Sequence, residues 1–84
     1  MNIYVGNLDF KVDEEELQTL FEEYGTVNSS KIITDKYSGK SKGFGFVEME
    51  DDSEANEAIK SLNGKELGNR EIIVNEAKPR KDRY

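Results

Sequence analysis

Eighty-four residues suffice for one domain with one modest core and exclude a second domain. The absence of cysteine excludes a disulfide framework and a thiolate metal site, and the absence of histidine removes the commonest general base and metal ligand. A net charge of −6 excludes a uniformly basic surface, but the charge is unevenly placed. Acids concentrate in 13–23 and 48–57, whereas Lys31, Lys36, Lys40 and Lys42 face Asp35 alone in 28–47, and Lys78, Arg80, Lys81 and Arg83 face Asp82 in 78–83.

The chain begins Met1-Asn2-Ile3-Tyr4, without a charged leader and apolar run. Nor does any apolar stretch approach the ~20 residues of a membrane-spanning helix. This reading expects an unprocessed, soluble, cytoplasmic chain with no membrane partner. Ile3 and Val5 alternate with their neighbours as a first strand. Asp13 then stands as an N-cap, with Glu16 as capping-box partner and Val12 placed to staple against Leu17. Leu17, Leu20, Phe21 and Tyr24 recur at helical spacing, giving a helix of about three turns for which Gly25 is expected to supply a left-handed stop.

Residues 27–34 read as a second strand, and a polar turn through Gly39 leads to a third over 42–49. Ser53 is expected to cap a second helix carrying Ala55, Ala58, Ile59 and Leu62, ended by Asn63-Gly64. Residues 70–77 alternate as a final strand that Pro79 stops. The order is βαββαβ. Right-handed crossovers turn that order into a split βαβ sheet, α+β in class, with both helices on one face and the other face open.

Side-chain parity identifies what the open face carries. In 42–49 the set Gly43, Gly45, Val47 and Met49 suits the helix-packed side, because burying Lys42 and Glu48 instead would be far costlier. Phe44 and Phe46 therefore face outward. Ile3 and Val5 point inward by the same logic, leaving Asn2, Tyr4 and Gly6 outside. Three exposed aromatics on one sheet face are an aggregation liability unless a partner covers them. Parity also places Lys31 and Ile33 of the second strand, and Ile73 and Asn75 of the last, on this face.

Lys42-Gly43-Phe44-Gly45-Phe46-Val47-Glu48-Met49 resembles the octapeptide of RNA-recognition motifs, and Ile3-Tyr4-Val5-Gly6-Asn7-Leu8 resembles their companion hexapeptide. The resemblance runs from Asn2 to about Lys78 and is closest to the small single-motif RNA-binding proteins of bacteria. It departs at Met49, where the family usually has Phe or Tyr, but that position points into the core. It implies a ferredoxin-like split βαβ sandwich, a four-stranded antiparallel sheet of order 4-1-3-2. The motif would occupy 1–78, with 79–84 as a basic C-terminal tail.

The resemblance further implies that Tyr4, Phe44 and Phe46 stack bases and that Lys42 contacts phosphate. The partner expected is single-stranded RNA, with single-stranded DNA a second candidate. Three platforms suit two or three nucleotides. Asn2, Lys31 and Asn75 would discriminate bases, and Ile33 and Ile73 would pack on sugars or base edges. Lys78 and Arg80 would reach phosphate if the tail folds over bound RNA. An RNA chaperone or post-transcriptional regulator is the expected role, with no cofactor or metal.

Competing motifs fit less well. Gly39-Lys40-Ser41 resembles the end of a phosphate-binding loop, yet Thr34 stands where its first glycine belongs and a strand follows. Glu50-Asp51-Asp52 with Glu54 lacks calcium-loop spacing and reads as acids near a helix start. An acyl-phosphate hydrolase on this split fold would need an arginine in the loop after the first strand. Gly6-Asn7-Leu8-Asp9-Phe10-Lys11 offers a lysine and an acid instead, so no enzyme is expected. A peptide-docking module would be favoured by loss of the aromatic trio, which is intact.

Overall fold

A computed structural model describes residues 1–39 and 41–77, with Ser41 and Lys42 described through their backbone alone. Its main elements are strand β1 (Asn2–Gly6), helix α1 (Glu14–Glu22), strands β2 (Val27–Thr34) and β3 (Ser41–Met49), and helix α2 (Asp52–Leu62). Three short strands follow: β4 (Glu66–Leu67), β5 (Arg70–Glu71) and β6 (Ile73–Glu76). The main sheet is antiparallel in the order β2-β3-β1-β6, the expected 4-1-3-2 read from its other edge.

Both helices pack on one face of this sheet, α1 over β2 and β3, α2 over β6 and β3. Ile3, Val5, Val47, Met49 and Val74 from the strands meet Leu17, Phe21, Ala55, Ala58 and Leu62 from the helices, all at most 1% exposed. These are the strand residues that parity assigned inward. Leu20 and Ile59, expected in the same core, are only partly buried against it. They lie at the margins of the helix-packed stripe, so their truncation removes less buried surface than that of Leu17 or Leu62.

Local chemistry sets the helix ends. The Glu16 amide donates to Asp13 Oδ1 at 2.8 Å, so Asp13 caps α1 as expected. For α2 the cap is Asp51, not Ser53: Asp51 Oδ1 accepts from the Glu54 amide at 3.0 Å, two residues earlier than the sequence reading placed it. Gly25 is not the left-handed stop of α1, since its φ is not positive. A Cβ there would instead overlap the Glu54 side chain, whose Oε1 accepts from the Thr26 amide at 3.4 Å. That glycine serves a close approach between the two helical halves.

Gly64 does adopt the left-handed conformation, at φ 86°, and its amide donates to Ile72 O at 2.8 Å. Among the described residues, no atom beyond its own two chain neighbours lies within 4 Å of the position a Cβ would take. Gly64→Ala is therefore a purely conformational substitution, expected to cost about 1–2 kcal/mol and to lower the denaturant midpoint without altering packing.

The final strand is not continuous over 70–77. Arg70–Glu71 pairs with Glu66–Leu67 in a separate two-stranded ribbon, and only from Ile73 does the chain join β1. Ile72 marks the break: its amide donates to Lys65 O, its carbonyl accepts from Gly64, and Asn63 Oδ1 accepts from the Val74 amide at 3.0 Å. Backbone groups there are satisfied by the helix exit rather than by one long ladder.

Candidate nucleic-acid interface

The register of the sheet aligns one row of side chains across all four strands of its open face. Lys31 lies opposite Phe46, Phe46 opposite Tyr4, and Tyr4 opposite Asn75. Directly opposed residues in a ladder share a face. Beside this row, Asn2 is paired with Glu48 and Gly6 with Ile73.

Three rings form the centre. Tyr4 lies 6.0 Å from Phe44 and 5.9 Å from Phe46, and the two phenylalanines are 6.2 Å apart. Their planes are tilted by 33°, 64° and 89°, the offset and edge contacts that aromatic quadrupoles favour. Each ring thus braces the other two while π surface remains open to solvent. Phe46 is 38% exposed, and Tyr4 and Phe44 are half-buried.

Gly6 explains the pose of Tyr4. A Cβ on Gly6 would overlap the Tyr4 hydroxyl and lie 2.8 Å from two of its ring carbons, so the ring occupies space that only glycine leaves. The sequence reading put Gly6 on the open face but did not see this role. The only signal for it was a glycine two positions beyond an aromatic on the same strand face.

The remaining expected residues are placed unevenly. Lys31, Asn2 and Asn75 are exposed on the open face, and Ile73 is 46% exposed. Ile33 is half-buried and sits within a register shift between Ile32 and Thr34, at a shallow depression lined also by Asp35, Lys36 and Tyr37. Parity is a weaker guide across such an irregularity. Glu48 shares the face, accepting a 3.5 Å hydrogen bond from the Ser29 hydroxyl, and puts negative charge beside Asn2. The expectations for the Lys42 side chain, for Lys78 and Arg80 and for the 79–84 tail lie outside the described residues.

Sequence reasoning placed the loop after β1 but missed the contacts that Asn7 and Phe10 make there. Asn7 has a positive φ of 55°, which asparagine tolerates. Its side chain donates to Glu71 O at 2.7 Å and accepts from Arg70 Nη1 at 3.2 Å. Arg70 in turn lies over the Phe10 ring, 5.6 Å from its centroid. In the same loop the Asp9 carboxyl is held below the usual carboxylate range, first by the Lys11 amide, then by the Asn69 amide and the charges of Lys11 and Arg70. Burial opposes this shift.

A family model for the RNA recognition motif matches residues 3–73. The chain belongs to the RNA-recognition-motif family. RbpB of Nostoc sp. is 49% identical over 99% of this chain and 81% of its own length, and RbpA of Synechocystis sp. 48% over 99% and 82%. Among solved structures, the crystal structure of RNA Binding Protein PG1 superposes with a TM-score of 0.92 at 51% identity, covering 98% of this chain and 99% of that one. A Sex-lethal protein/RNA complex superposes with a TM-score of 0.89 at 32% identity, covering 96% of this chain and 48% of that one. The motif is a binding module, and the chain is not an enzyme.

Proposed function

We propose that this motif binds single-stranded RNA on its open sheet face. The observation that carries the reading is the braced ring cluster of Tyr4, Phe44 and Phe46 on a sheet face that neither helix covers. Bases stack on these rings, each worth roughly 1–3 kcal/mol with little demand for one sequence. Lys31, Asn2 and Asn75 offer donors and acceptors to base edges, while Ile33 and Ile73 offer apolar contact to sugars. About two to four phosphates are contacted by cations drawn from Lys36, Lys40, Lys42, Lys78 and Arg80, the last in the tail over 79–84. Support comes from the family and from the RNA-bound Sex-lethal neighbour. Stacking that tolerates many sequences suits an RNA chaperone or post-transcriptional regulator acting on unpaired transcripts in the cytoplasm. Single-stranded DNA has the same base faces and differs in the 2′-hydroxyl.

Salt dependence tests the balance between stacking and charge. For single strands the logarithmic slope is about −0.7 per phosphate neutralised, so two to four contacts imply roughly −1.4 to −2.8. Affinity for one short RNA, measured from low to physiological salt beside a duplex control, is expected to give that slope and a preference for the single strand. A slope near −5, about seven phosphates at the same increment, or equal affinity for duplex, means that charge rather than stacking governs binding.

Gly6→Ala tests the pose of Tyr4. The backbone at Gly6 is not left-handed, so alanine is conformationally tolerated there while its methyl displaces the Tyr4 ring. RNA affinity is expected to fall by about the worth of one stacked base, with the thermal midpoint of unfolding little changed.

A further inference from the structure

Phe10 stands outside the core and outside the open-face ring cluster. It is 64% exposed, compared with 38% for Phe46. A lone exposed apolar side chain is ordinary on a protein surface. Phe10 differs because an arginine is held over it. Arg70 is fixed by its bond to Asn7 Oδ1, and Asn7 is itself fixed by donating to Glu71 O. The remaining guanidinium N–H groups have no acceptor among the described residues, and no carboxylate lies within ion-pair distance of Arg70 there. A ring with an oriented, incompletely satisfied guanidinium beside it is the chemistry that takes a base and a phosphate.

Its position adjoins the proposed RNA face. Asn7 directly follows Gly6, and Gly6 is paired with Ile73 on the open face. A Phe10 ring carbon lies 3.8 Å from where a Cβ on Gly43 would stand; Gly43 has the helix-packed parity, so Phe10 stands at the rim of the sheet, at the end of β1 and β3, and not on the open face itself. Leu8 ties the loop to the same place, its amide donating to Gly43 O at 2.8 Å. An RNA strand that left the rings across this end of β1 and β3 would reach the rim that carries Phe10 and Arg70.

We propose that Phe10 and Arg70, oriented by Asn7, form a further nucleotide subsite for single-stranded RNA, with a base on Phe10 and its phosphate on Arg70. The inference rests on the RNA reading above and extends it to a flanking nucleotide. Lys11 and Arg70 are balanced locally by Asp9 and Glu71, so the subsite supplies one phosphate contact and not a basic track.

The test compares two single-stranded RNAs by NMR titration of the full chain. One is about three nucleotides long, enough for the ring cluster, and the other about twice that length. Phe10→Ala is expected to weaken the longer RNA by about five-fold or more and to leave the shorter one unchanged. Arg70→Gln is expected to make the salt slope for the longer RNA shallower by about 0.7. Unchanged affinity of Phe10→Ala for the longer RNA overturns the inference, and so does an equal loss at both lengths. Because Arg70→Gln also removes the bond to Asn7, the exposed Phe10 variant is the deciding one should the loop loosen. If the unaltered chain binds neither RNA, the RNA reading itself fails, an outcome distinct from binding that ignores Phe10.

Discussion

Phe21→Ala is expected to cost about 3–5 kcal/mol of stability, the largest single effect in this domain. Phe21 is fully buried at the C-terminal end of α1 and is the largest side chain in the core. Its removal leaves a cavity between helix and sheet that a small domain has few other side chains to refill. A total stability in the ordinary range of roughly 5–15 kcal/mol would lose a large fraction of itself. Urea unfolding of Phe21→Ala beside Leu20→Ala gives the check. The half-buried Leu20 is expected to shift the midpoint distinctly less, and equal shifts would mean that the buried face of α1 is wrongly assigned.

Phe46→Ala is expected to do the opposite, weakening RNA binding by roughly 1–3 kcal/mol, about five- to 150-fold, while the domain stays folded. Phe46 lies in the row Lys31–Phe46–Tyr4–Asn75 and is 38% exposed, whereas its chain neighbours Gly45 and Val47 are buried. Truncation removes a stacking surface and also an edge contact that braces Tyr4 at 5.9 Å. Loss on binding therefore includes some loss of preorganisation in Tyr4. Anisotropy of a labelled RNA, read beside the melting temperature, separates loss of binding from loss of folding. A collapse of the melting temperature together with binding would identify Phe46 as a core residue.

Most of the central sheet was legible because the side-chain period of a strand is two and one face must be apolar. Val47 and Met49, set against Lys42 and Glu48, decide the parity of β3, and Ile3 and Val5 decide that of β1. The Asp13 cap was legible because it is a contact three residues long. Ser53 failed as a cap because Asp51 and Ser53 are both good capping residues, and only the backbone frame of α2 chooses between them. Gly25 failed because its purpose is a contact with Glu54, distant in sequence.

The break at Ile72 was illegible for a similar reason. Alternation over 70–77 is intact, but Lys65 and Gly64 capture the backbone of Ile72 before β1 can. Phe10 and Arg70 lie on a loop and a short ribbon, where no periodicity tells which side chains meet. Asn7, with its positive φ, brings them together through two hydrogen bonds that span more than sixty residues of sequence.

Ring-proton NMR of the aromatic side chains reports whether RNA lies on the open sheet face. Adding a short single-stranded RNA is expected to shift the ring signals of Tyr4, Phe44 and Phe46, along with amides of Lys31 and Asn75 in the same row. The ring of Phe21, buried between helix and sheet, should stay in place. Shifts confined to residues of α1 and α2, with the three open-face rings unmoved, would place RNA on the helical side and not on the sheet.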